Sequence, residues 1–126
     1  MTEPWKNDYV DFSLEGPILV ATYKECPTPI TLAHAKTIRN CRLAFQGKKS
    51  YPLLVKTEGN LLMEMPARKY LSSPEASEGV TAAAFIARNR LVETVIWFFL
   101  AFAPNHIPTK VYHKEKPALK WLTGFA

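Results

Sequence analysis

Few residues in this chain could carry chemistry. Three histidines, His34, His106 and His113, and two cysteines, Cys26 and Cys41, are scattered through 126 residues. Metal donors usually recur at short offsets such as CxxC, HxxxH or HExxH, because those spacings bring two side chains to one face. None of these offsets occurs, so the expectation is no metal site and no cofactor. The two cysteines leave room for one disulfide but form no redox motif. The stretch "FQGKKS" has a superficial likeness to a phosphate-binding loop. Arg42, however, stands where the first glycine belongs, Lys49 replaces the hydroxyl residue, and the stretch follows a helix pattern rather than a strand. A helix C-cap and polar turn accounts for it better. Nothing such as GxSxG marks an activated nucleophile. The expectation is a protein that binds rather than catalyses; the lesser alternative, an enzyme, would need a closed polar pocket holding Glu58, Arg88 and His113 together.

Binding residues are easier to nominate. Parallel sheets gather ligands beyond the carboxyl ends of their strands. Those positions hold Thr57 and Glu58, then Arg88, Asn89 and Arg90, then His113 and Lys114. Where these ends converge, two arginines and a glutamate line one edge. That edge suits an anionic group, whether a ligand phosphate or an acidic side chain of a partner. The competing reading is a solvated rim of loop charges. Arg42 differs from them: helical geometry puts it beside the apolar stripe containing Ile38 and Phe45. A partly buried arginine needs a carboxylate or carbonyl partner, so structural pairing is the first expectation and ligand contact the second.

The elements that must position these residues follow from hydrophobic periodicity. Val10, Phe12 and Leu14 alternate with Asp11 and Ser13, which is the pattern of a half-buried strand. "EGP" forms a turn and "ILVATY" a second strand, so the chain opens with a hairpin. Thr31 or Thr28 caps a helix running to about Phe45, with Ala35, Ile38, Cys41 and Phe45 on its core side and Gly47 near its end. "YPLLVKT" is a third strand. Pro66 opens a short helix that stops before Pro74. "VTAAAFIA" is apolar at nearly every position, as expected of a central strand covered on both faces. An apolar helix around Trp97 follows, with Asn89 as its cap and Pro104 as its stop. "TKVYHK" is a fifth strand and "KPALKWLTGF" a closing helix with Leu119 and Leu122 three apart. The fold class is therefore α/β: an N-terminal β-hairpin, then alternating helices and strands in a mixed, mostly parallel five-stranded sheet. Residues 1–8 read as a flexible leader and 9–126 as a single domain.

That order, with "RLAFQGKKSYPLLVKT" and the closing "IPTKVYHKEKPALKWL", resembles a group of small bacterial proteins of unassigned function described as STAS-like. They share the fold of the sporulation anti-sigma-factor antagonists. The resemblance runs over nearly the whole chain. It implies a β/α superhelix and a binding or regulatory role. Those antagonists switch partners when a serine or threonine is phosphorylated at the start of the helix after the third strand. Here Met63, Glu64 and Met65 occupy that place, and no hydroxyl is available. Glu64 either mimics a constitutive negative charge at a helix N-terminus or is an ordinary first-turn glutamate.

The run "TVIWFFLAFA" is uncharged and bracketed by Glu93 and Pro104. Crossing a bilayer takes about 20 apolar residues, so it is too short to be a transmembrane segment. A helix apolar on all sides in so small a domain leaves part of its surface for something outside that domain. Trp97, Phe98, Leu100 and Ala101 are the residues expected there. A homodimer interface is the simplest use, an unknown protein partner the next, and a lipid or other amphipathic ligand the third; the alternative is that loops and the leader, including Trp5, cover the run. The net charge of +5 is dispersed along the chain, which argues against nucleic acid. The N-terminus shows no basic segment followed by an apolar run, so no secretory signal is expected and a reduced, cytoplasmic setting is.

Overall fold

A computed structural model of the chain describes residues 5–26, 28–59, 62–90, 94 and 107–126. The opening hairpin pairs β1 (Val10–Glu15) antiparallel with β2 (Ile18–Tyr23), Glu15 standing opposite Ile18. Its two-residue turn follows from the chemistry of Gly16 and Pro17. Gly16 has a φ of 59°, which glycine alone adopts without strain, and the proline ring holds the next φ negative. That combination favours a type II′ turn, whose twist matches that of the strands.

Three further strands continue in sequence order: β3 (Tyr51–Thr57), β4 (Val80–Ile86) and β5 (Thr109–Tyr112). The sheet order is β1-β2-β3-β4-β5, with β2 through β5 mutually parallel. Helix α1 (Leu32–Gln46) links β2 to β3, and α2 (Met65–Leu71) links β3 to β4. Because the strands advance in one direction and such crossovers are right-handed, both helices fall on the same face. On that face Val10, Ala21, Ile30, Ala35, Ile38 and Ala67 form one core. The closing helix α3 (Glu115–Thr123) crosses the opposite face. There Ala118 and Leu122 pack on Ile18, Val20, Leu54, Ala82, Ala84 and Ile86. Alternate residues of β2 thus enter different cores, and in β4 Ala82, Ala83 and Ala84 are all buried, which is why both strands read as unbroken apolar runs.

Several boundaries depart from the sequence reading. Strand β5 ends at Tyr112, so His113 and Lys114 lie beyond it, and α3 starts at Glu115. Thr31, not Thr28, caps α1: its hydroxyl accepts the His34 N–H at 3.3 Å while the Thr31 N–H donates to His34 Nδ1 at 3.2 Å. A neutral imidazole nitrogen here takes the place of the usual glutamate or glutamine of a capping box. Trp5 packs edge-on against Phe45 of α1, with ring centroids 5.6 Å apart, and Phe12 stacks on the same ring at 6.0 Å. Arg90 and Thr94 are helical, and the Thr94 hydroxyl donates to the Arg90 carbonyl at 2.8 Å. Trp97, Phe98, Leu100 and Ala101, with the rest of the expected apolar helix, lie outside the described residues.

Candidate functional site

The parallel register of β3, β4 and β5 brings their carboxyl ends to one edge of the sheet. Pairing continues one residue past the strands. The Glu58 N–H donates to the Tyr23 carbonyl and the Ala87 N–H to the Tyr112 carbonyl, each at 2.8 Å. Glu58 and Arg88 therefore leave the sheet from neighbouring, fixed positions. The Arg88 guanidinium closes the gap by donating to the Glu58 carbonyl, which ties the end of β4 to the end of β3. The side chains of Glu58, Arg88, Asn89, Arg90 and His113 are all exposed. Below them, Lys56 of β3 and Glu115 of α3 form an ion pair at 2.5 Å, so the loop holding His113 is anchored on its far side. The Thr57 hydroxyl oxygen is buried beside this edge with no hydrogen-bond partner among the described residues. Gly59 is required by close approach, since a Cβ there would collide with the Glu25 carboxylate.

Glu64 is held by α2 rather than by a strand end. Its N–H donates to the Ile30 carbonyl and its own carbonyl accepts the Arg68 N–H, at 2.9 and 3.0 Å. Its side chain is exposed and makes no capping bond to the helix. A single parallel bridge between Ile30 and Met63 sets this position and brings Leu62 and Met65 to the surface, 66% and 43% exposed. The sequence reading missed these two apolar residues. No periodic pattern marks them, and their exposure depends on a contact between segments far apart in the chain.

Arg42 lies at the opposite end of the sheet. It is only 5% exposed. Its guanidinium donates to Gln46 Oε1 one turn along α1 and to the Ala76 carbonyl at 2.8 Å. The Gln46 amide in turn donates to the carbonyls of Lys49 at 2.8 Å and Gly79 at 3.0 Å. Two side chains of one helix thus clamp the loops that lead into β3 and β4. Burial pushes the Arg42 pKa down, and the nearby Tyr23 phenol partly offsets that. The Tyr23 phenol, enclosed on the same face, is pushed up to about 12 by burial, against which the Arg42 charge acts. Gln46 could have been found from its spacing four residues after Arg42. The Ala76 carbonyl could not, because a backbone acceptor in a loop carries no residue-type signal.

Among the described residues no cluster of three or more His, Cys, Asp or Glu side chains could hold a metal. Nor is any helix among them long and apolar enough to cross a membrane.

Among the described residues, a hairpin, a parallel sheet, two helices on one face and a closing helix on the other define a SpoIIAA-like α/β fold. A solved structure shares it: an uncharacterized protein from the DUF3478 family with a SpoIIAA-like fold, from Shewanella loihica PV-4. The two superpose with a TM-score of 0.57 at 14% identity, covering 93% of this chain and 97% of that one. At that identity the likeness is one of fold. The chain belongs to the family described as Domain of unknown function (DUF7793), whose model matches residues 12–126. No curated protein matches the chain.

Proposed function

We propose that this protein is a non-catalytic binding module of the regulatory type, and that its working surface is the strand-end rim of Glu58, Arg88, Asn89, Arg90 and His113. The observation that carries this reading is the Arg88–Glu58 link. It spends one arginine on fixing the rim's backbone and leaves the Glu58 carboxylate and the Arg90 guanidinium exposed on a rigid support. Preorganised charges on a rigid edge lower the ordering cost of binding and serve recognition of a partner of complementary charge. The apolar run around Trp97 and Phe98 begins just after Arg90 in sequence. It would supply the desolvated centre that a charged rim lacks, since interface energy concentrates on buried aromatic anchors. Glu64, beside exposed Leu62 and Met65, forms a second contact area and acts as a fixed charge rather than a switch.

A photocrosslinking residue placed at Asn89 tests this. It should capture a defined protein in cells, and the same group placed at Lys49, at the other end of the sheet, should not. Equal capture from both positions, or from neither, would refute the reading.

A further inference from the structure

We infer that β1 is a self-complementary edge through which two copies of this chain join their sheets, antiparallel and about a two-fold axis at Phe12. This surface is separate from the strand-end rim and does not depend on it.

Among the described residues β1 is the terminal strand of the sheet, and no other strand lies on its outer side. Which of its backbone groups point outward follows from the hairpin. The Lys24 N–H donates to the Tyr9 carbonyl, so Tyr9 opposite Lys24 is a hydrogen-bonded pair. In an antiparallel ladder such pairs alternate, which turns the N–H and C=O of Asp11, Ser13 and Glu15 toward β2. The groups of Val10, Phe12 and Leu14 therefore point away from the sheet. The Val10 N–H is already taken by Asn7 Oδ1 at 2.8 Å. Phe12 and Leu14 have no such partner among the described residues, and Leu14 is 50% exposed, a large apolar side chain on an open edge. Unpaired edges of this kind are templates for another strand.

The occupant is set by how the side chains meet. With Phe12 opposite Phe12 of the second copy, each Phe12 exchanges both of its main-chain hydrogen bonds with its mate. Each Leu14 N–H reaches the Val10 carbonyl of the other chain, the one group of Val10 still open. On one face Leu14 then lies over the other copy's Val10, beside the Phe12, Phe45 and Trp5 rings. On the other face Asp11 stands opposite Ser13, and Glu15 falls opposite Tyr9, whose ring turns away to stack on His34 at 4.6 Å, so no like charges are opposed. Asp11 is moreover already paired with Lys24 at 3.2 Å. Shifting the centre to Ser13 would set Asp11 against Glu15, and shifting it to Asp11 would set two aspartates together; both are destabilising. One register thus satisfies both the backbone and the charges, and it is symmetric, as a closed dimer requires.

Ser13 makes this testable, because it is exposed and would oppose Asp11 in a close, non-hydrogen-bonded pair. Sedimentation equilibrium of the full chain is the measurement, with thermal melts showing that each variant folds. Wild type should be a dimer. Ser13→Lys should tighten it, and Ser13→Asp should loosen it, by about five- to tenfold each, since two symmetric pairs change at once. Leu14→Lys should give a folded monomer. A wild-type chain that stays monomeric at millimolar concentration would overturn the inference. So would a dimer that Ser13→Lys and Ser13→Asp weaken alike or leave unchanged, or one that only substitutions at Trp97 or Phe98 disrupt. Rim variants at Arg88 and Arg90 should leave the dimer intact, which separates this test from that of the rim.

Discussion

The two ends of the sheet use arginine in opposite ways. At the amino ends of β3 and β4, Arg42 is buried and clamps two loops through Gln46 and the Ala76 carbonyl. At the carboxyl ends, Arg88 and Arg90 are exposed, and Arg88 is drawn onto the Glu58 carbonyl. The same side chain is structural where its donors are consumed inside the fold and available where they face water. Burying a guanidinium is tolerable only with its hydrogen bonds made, so the closed end resists change. The open end pays no such desolvation cost, so its exposed side chains tolerate substitution.

The largest effect is expected at the closed end. Replacing Arg42 by Met keeps the aliphatic volume but strands Gln46 Oε1 and the Ala76 carbonyl. A loss of about 2–3 kcal/mol should follow, read as a lower midpoint in urea denaturation. If the midpoint does not move, the clamp is ornamental and the contrast between the two ends collapses. Gly79 sharpens the same point. Its φ is 81°, and a Cβ there would come within 2.5 Å of Gln46 Nε2. Gly79→Ala should cost about 1–2 kcal/mol through backbone strain and displacement of that amide.

A smaller and pH-dependent effect belongs to Tyr23. An unfolded tyrosine ionises near 10.0, whereas burial raises this one to about 12. Stability is therefore complete below pH 10 and falls as pH climbs toward 12, because only the unfolded chain then releases the proton readily. The loss is on the order of 2 kcal/mol across that window, and Tyr23→Phe should flatten it. Urea melts at pH 9 and pH 11 measure the difference directly. Equal slopes in wild type and variant would show that another group governs alkaline unfolding.

Much of this fold was legible because burial imposes period. The alternation in β1, the unbroken run of β4 and the stripe of α1 each follow from which sides are covered. The SpoIIAA-like arrangement follows from their order. The convergence of Glu58, Arg88 and His113 on one edge was legible for the same reason, since parallel strands share their ends. Contacts between a side chain and a remote carbonyl were not, as with Arg42 and Ala76. Nor was His34 as the capping partner of Thr31, because the usual signal is a glutamate or glutamine. The bridge from Ile30 to Met63, which fixes Glu64 and exposes Leu62, joins two loops that no periodicity links.

The smallest effect on stability should accompany the largest effect on binding. In the double variant Arg88→Glu, Arg90→Glu both changes fall on exposed side chains, so the melting temperature should stay within about 3 °C of wild type. Its affinity for the protein captured at Asn89 should fall at least tenfold. A folded double variant that binds as tightly as wild type would contradict the claim that the strand-end rim is the working surface of this protein.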